Sequence, residues 1–575
     1  MTGFRAEIGL ALAAGLFVSA ALAQVPPQPV PAEPSPAMPA KPAPIEVNTL
    51  GTTDGPPAGL LDSAHGGLGS DIWAGSPRGE IEELFARLPL STSVRSVRAL
   101  ARRVVLTTAD APSGQAPHSF QTVRLKALLN AGLVGDAAKL AALMRLKDDP
   151  EFAEVQAEAI LLGGSPAEAC SDATNLRETN TEPLWMQLRA YCFGISGQRD
   201  LLDLTRSVIK AQGADDRAFE ILLDDVLVHK TIPAGELHDP TAVDVFLLRQ
   251  VGQPVGPGLA ARFGLAASVI ALRDVKNSPA ARADAATQAL HAGAASTAEL
   301  DAIADALTFT PQQFANADSA AAGLPFFPGQ ALIRQALAHT NGDDLKVKLL
   351  AVAFRQGRQM QLLPVAAAMQ QDAAASVIPS PALRSYAPAF SRALLMAHQA
   401  DAAERWRDML DPNADADASL AAGLAVTLDL VAPNPGRMAR AHAALVWLAQ
   451  NAASAQPSGG PPEQQIAVLA LALYDALGET MPPGLQLAPL LAKDWPGRVI
   501  APAVRKRLDE TLGRPDRKGE AILTVLDTIG AGGPGDFTPA AATVLVRALK
   551  AEGEVDAARA LAADALLLFQ PPSQS

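Results

Sequence analysis

Residues 545–565 read Leu-Val-Arg-Ala-Leu-Lys-Ala-Glu-Gly-Glu-Val-Asp-Ala-Ala-Arg-Ala-Leu-Ala-Ala-Asp-Ala, and this stretch decides the fold. It is rich in alanine and leucine and is broken once, by Gly553, so it reads as two helices joined by a tight turn. Working outward, the same alternation of helical run and short break recurs along most of the chain. From Val94, the apolar positions Val94, Val97, Ala101 and Val104 fall at helical spacing, with Arg95, Arg98 and Arg102 on the wetter flank. Further breaks stand at Gly132, Gly163-Gly164, Gly197, Gly213 and Gly478. Ser76-Pro77, Ser165-Pro166 and Thr310-Pro311 each place a hydroxyl before a proline, the signature of a helix start.

Composition agrees with the pattern. Aromatic residues make up only 4% of the 575 residues, whereas strands favour aromatic and β-branched side chains. Alanine and leucine favour helix. The expectation is an all-α chain of about 24 to 28 helices, packed as sequential antiparallel pairs because the turns are short. In such an array small residues let helices approach closely, and each pair buries its apolar stripe against the next.

These residues resemble tetratricopeptide-like repeats. With Gly553 at the turn between paired helices, Leu545, Ala558 and Ala565 fall where that family carries apolar or small residues. Leu128, Gly132, Ala137 and Ala141 make a second partial match, and Trp185 with Leu188 a third. Few units keep the family's glycine in the first helix or its closing proline, so the resemblance implies the broader α-solenoid of helix pairs. The chain also resembles secreted bacterial helical-repeat proteins of uncharacterised families.

The first residues carry an export signal. Arg5 gives a positive start, Ile8 to Leu22 form an uncharged apolar run, and Ala21-Leu22-Ala23 before Gln24 is a small-residue cleavage pattern. The run is shorter than the roughly 20 residues that span a bilayer, so the expectation is a signal peptide over residues 1–23, cut after Ala23, with delivery to the periplasm. Retention of the run as an anchor is the alternative. No later segment has 18 uncharged apolar residues in a row; the best, from Ala418, is interrupted by Asp429. Val25 to Pro44 holds nine prolines, a composition of extended polyproline character, and a Pro/Gly-rich disordered linker is expected over 24–70. Folding is expected to begin near Asp71-Ile72-Trp73. The breaks at Gln253–Gly258 and Ala455–Pro462 divide the rest into an N-terminal region 71–254, a central region 255–452 and a C-terminal region 463–570.

Cys170 and Cys192 are the only cysteines and sit on consecutive expected helices. Export favours a disulfide between them, worth about 3 kcal/mol in the chain-entropy model, with two buried thiols as the alternative. Neither C-x-x-C redox spacing nor enough zinc ligands is present.

The search for catalytic sets finds little. The eight histidines are scattered, with no H-E-x-x-H, and there is neither a G-x-S-x-G elbow nor a phosphate-binding P-loop. Ser207-Val-Ile-Lys210 fits S-x-x-K, but Lys230-Thr231-Ile232 fails the accompanying K-T-G, and the match reads as chance. Asp411-Pro-Asn-Ala-Asp415-Ala-Asp417 alternates oxygen side chains like the start of a calcium loop. Ala416 replaces the turn glycine and Ala422 the bidentate glutamate, so the segment reads as a solvated loop with Asp417 capping the next helix. No catalytic residue, cofactor or metal is assigned, and a small-molecule substrate is not expected.

A formal net charge of -13 repels nucleic acid. Arg87, Arg95, Arg98, Arg102 and Arg103 form a local basic run, read either as one wet helix face or as a patch for an anionic partner. The functional expectation is a non-enzymatic periplasmic scaffold or adaptor that binds another envelope protein. The alternative is an envelope-polymer (peptidoglycan) binding protein or a degenerate relative of lytic transglycosylase helical domains; no muramidase catalytic segment follows the helices.

Overall fold

A computed structural model describes residues 54–569 except 145, 147–148, 176–180, 214–215, 229–240, 254–259, 412–414, 453–455 and 458–461. The expected leader, its cut after Ala23, the proline-rich stretch to Pro44 and the tail from Gln570 lie outside the described residues. Most of the two internal breaks lie outside them as well. Among the described residues there are 29 α-helices, no β-strand and only isolated β-bridges. No helix among them is long and apolar enough to cross a membrane.

The C-terminal pair shows why these sequences make these elements. Helix α28 (Pro539–Ala551) starts with proline at its first position and with the Thr538 side chain accepting from the Ala541 amide. It ends at Gly553, whose φ of 79° suits a residue without Cβ. There the Glu554 amide donates to the Leu549 carbonyl at 2.9 Å and the Gly553 amide to the Lys550 carbonyl at 3.0 Å, which satisfies the helix end. Helix α29 (Val555–Leu567) then returns, and Leu545, Ala558 and Ala565 are all buried. The same turn recurs at Gly132, Gly197 and Gly478. Leu128, Ala137, Ala141, Trp185 and Leu188 are buried too, so the repeat reading places the core correctly. Ser165 and Thr310 cap helices as expected. Ser76 does not: α1 (Arg78–Ala86) starts beyond Pro77, which serves as its N-cap.

Order begins earlier than residue 71. Asp54 is buried, accepting from Arg78 at 2.5 Å and from the Phe120 amide at 2.5 Å. The amides of Leu60 and Leu61 both donate to the Leu106 carbonyl, at the end of α2 (Arg95–Leu106). Arg124, on α3 (Phe120–Asn130), is wholly buried and donates to the carbonyls of Ala58, Val105 and Thr107. Burial pulls its guanidinium down to about 10, still charged at neutral pH. Residues 54–70 bury little apolar surface; backbone hydrogen bonds and three arginines, Arg78, Arg103 and Arg124, hold them instead.

The three expected regions pack against one another within one compact unit. The turn at Gly132 between α3 and α4 (Val134–Leu143) meets Leu265 and Val269 of α11 (Ala260–Arg273), which joins the N-terminal and central regions. Helix α29 packs on α20 (Ala387–Met396) and α22 (Asp415–Val431) as well as on α24 (Pro462–Leu477), joining the central and C-terminal regions. Asp429, which breaks the apolar run in sequence, pins this joint: it accepts from the Tyr474 hydroxyl at 2.6 Å and from Arg559 of α29 at 3.2 Å.

The two ends of the described chain also meet. Helices α1 and α2 pack on α27 (Lys518–Ile529), and α2 on α29. The Gly75 amide donates to the Asp516 carbonyl, and the Gly519 amide to the Ile72 carbonyl. Arg87 pairs with Asp527 at 2.9 Å, Arg103 with Glu554 at 2.7 Å and Arg507 with Glu80 at 3.6 Å. The Thr92 hydroxyl donates to the Ala531 carbonyl at 2.6 Å. The helix-pair array is therefore closed end to end along this seam.

Candidate functional site

Closure takes apart the basic run seen in sequence. Arg87 and Arg103 serve the seam, and Arg102 holds Asp136 at 2.6 Å across to α4 (Val134–Leu143). Arg98 donates to the Thr92 carbonyl at 2.8 Å, and burial followed by the neighbouring Arg95 charge lowers its guanidinium. Only Arg95 remains exposed with no carboxylate in ion-pair range.

At Val94, next to Arg95 in the chain, lies a crevice of about 450 Å³, within the range of ordinary ligand pockets. Its walls come from three distant parts of the chain: Val94 at the start of α2, Arg358 and Arg392 from the middle, and Leu567 to Phe569 from the end. Arg358 lies in α17 (Asp343–Gln359) and Arg392 in α20. Neither has a carboxylate in ion-pair range. Arg392 is half-buried, and burial, then the Arg358 charge, lowers its guanidinium. The only carboxylate in the wall, Asp536, stands 3.8 Å from Arg498.

Backbone geometry marks the same place. Among the described residues only Gln361 and His398 combine a side chain with positive φ, 57° in each case. Both occupy the turn position that glycine holds at 132, 197, 478 and 553, with the same pair of hydrogen bonds. Gln361 lines the crevice, and His398 lies just beyond the lining residue Met396. Burial and then the Arg95 charge lower the His398 imidazole. Side chains are retained here where glycine would relieve backbone strain, a pattern that gathers at functional sites.

The other candidates resolve as structure. Cys170 and Cys192 form a disulfide with α-carbons 5.5 Å apart, linking α6 (Pro166–Asn175) to α7 (Pro183–Ile195). The Ser207 hydroxyl donates to the Asp203 carbonyl of its own helix, α8 (Arg199–Ala211), and Lys230-Thr231-Ile232 lies outside the described residues. In the calcium-like segment, Arg384 bonds Asp411 at 3.2 Å and Asp417 at 2.9 Å, filling the position a cation would take. Asp417 is not an N-cap: it lies inside α22 and accepts from the Asp411 amide at 3.1 Å.

Sequence reasoning missed Arg358, Arg392 and the two strained turns. A signal was present: His398-Gln-Ala-Asp401-Ala-Ala reproduces Gly553-Glu-Val-Asp556-Ala-Ala, with histidine in place of the turn glycine. Comparison with known proteins gives no family model, curated protein or solved structure that matches this chain.

Proposed function

We propose that this chain is a non-enzymatic adaptor of the bacterial envelope, a tetratricopeptide-like α-solenoid exported by its leader to the periplasm, where it binds another envelope protein. The observation that carries this reading is the crevice, an unneutralised pair of arginines walled by three distant segments and edged by two strained turns. A cavity of this size suits a short chain segment or chain end better than a polymer strand. The apolar export signal, the proline-rich stretch after it and the extended surface of a helix-pair array fit the same role.

Crosslinking of the tagged protein in intact envelopes, followed by mass spectrometry, tests the reading. A reproducible protein partner at near-stoichiometric yield is expected, and Arg358→Gln should reduce its capture. Recovery of glycan fragments alone, together with cosedimentation on peptidoglycan, would replace the adaptor by a polymer binder.

A further inference from the structure

The crevice combines two features that constrain its ligand. Arg358 and Arg392 come close enough for each charge to be felt by the other, yet no carboxylate lies in ion-pair range of either. Two guanidiniums facing one space are matched by an oxygen anion, which accepts their N–H groups in bidentate fashion. One part of the wall is apolar, with Val94, Leu363, Pro364, Met396, Leu567 and Phe569, and the other carries Ser91, Ser93, His291 and Gln361. A bare inorganic anion would leave the apolar part in contact with water, so the ligand needs an apolar body next to its charge.

Asp536 at the wall stands in ion-pair range of Arg498, so Arg358 and Arg392 both face the cavity without a counter-charge. Two positive charges facing the cavity call for an oxygen anion, and the apolar part of the wall favours a carboxylate on a carbon body over inorganic phosphate.

We propose that this crevice binds an amphipathic carboxylate, its head between Arg358 and Arg392 and its body along Val94, Leu363, Met396 and Phe569. The inference rests on the adaptor reading for where such a group comes from, namely the free α-carboxylate of a protein chain that ends in an apolar residue. A free aliphatic acid shares the chemistry and is the other source.

Calorimetric titration of the full chain separates these cases with four probes: acetyl-Ala-Leu as free acid, the same peptide as C-terminal amide, octanoate and inorganic phosphate. The free acid is expected to bind at least about tenfold more tightly than the amide, the loss expected when a charge-assisted bond is removed. Arg358→Gln, an exposed substitution that leaves the core alone, is expected to weaken acid binding by about tenfold, as is Arg392→Gln. Melting temperatures measured alongside should match the parent, since neither arginine holds a carboxylate in the unliganded protein.

Equal binding of acid and amide would overturn the proposal, as would phosphate binding as tightly as the acid, or acid binding that both variants leave intact. Tighter binding of octanoate than of the peptide would keep the carboxylate site and assign it to a free acid. Failure of all four probes, with a protein partner still captured in the envelope, would refute the carboxylate site and leave the adaptor reading standing. Acid binding with no captured partner would do the reverse.

Discussion

The seam and the disulfide-bearing arm of helices α6 to α9, the last being Arg217–Val228, hold together in opposite ways. At the seam, residues more than 400 positions apart meet through ion pairs, backbone hydrogen bonds and close packing. Trp73 is buried there, and a Cβ on Gly519 would fall 2.2 Å from its ring. In the arm, the main contacts reach no further than nearby helices: α6 with α7, α7 with α8 and α9, α9 with α10 (Ala242–Val251), and α7 with α5 (Pro150–Gly163) and α10. Apolar side chains at Ile195, Leu201, Leu204 and Val228 stay exposed. A covalent link across 22 residues supplies what long-range packing does not. The lesson is that closure makes most of the array one cooperative body, whereas the arm remains a repeat-like unit that relies on its staple.

The largest way to break this contrast is to remove the staple. Cys170→Ser with Cys192→Ser is expected to cost about 3 kcal/mol, confined to the arm. Hydrogen exchange should quicken in α6 to α9 and stay unchanged in α1, α2 and α27. Next comes the seam: Gly519→Ala drives a methyl into Trp73, with an expected cost of about 2 kcal/mol. This loss should appear in the global unfolding midpoint rather than in one segment.

A third, smaller effect is electrostatic. Burial acts to raise the Glu554 carboxyl, but its bonds to Lys518 and Arg103 hold it below the ordinary 4.5 on balance. A carboxyl depressed in the folded state contributes stability above its unfolded value, and that contribution is lost as pH falls through the folded value. Glu554→Gln should therefore cost about 1 kcal/mol at neutral pH, and the variant and parent curves should converge below about pH 4.5. The smallest effect sharpens the picture of the crevice. Gln361→Gly relieves a left-handed backbone and is expected to raise stability by about 0.5 kcal/mol, read as a higher denaturation midpoint.

Much of the fold was legible because helix pairs are local. Leu545, Ala558 and Ala565 announce their burial through spacing, and Gly553 its turn through the lack of Cβ. The cysteine pair was legible for the same reason, since consecutive helices must lie side by side. Closure was not legible: whether Arg87 meets Asp527 depends on small rotations summed over more than twenty helices, and no single segment records that sum. Residues 54–70 misled because composition reports apolar burial, whereas Asp54 and the amides of Leu60 and Leu61 act through hydrogen bonds. The basic run was visible but its role was not, because closure places partners opposite Arg87 and Arg103, α4 supplies one for Arg102, and Arg95 is left exposed near His398. Only the missing glycines at 361 and 398 pointed to the crevice from sequence.

Hydrogen exchange across a denaturant series reads end-to-end closure directly. If the seam joins the ends, amides in α1 and α2 lose protection at the same denaturant concentration as those in α27 to α29, as one transition. Loss of protection in α1 and α2 at clearly lower denaturant, with α27 to α29 still protected, would show an open array with fraying ends and contradict the account.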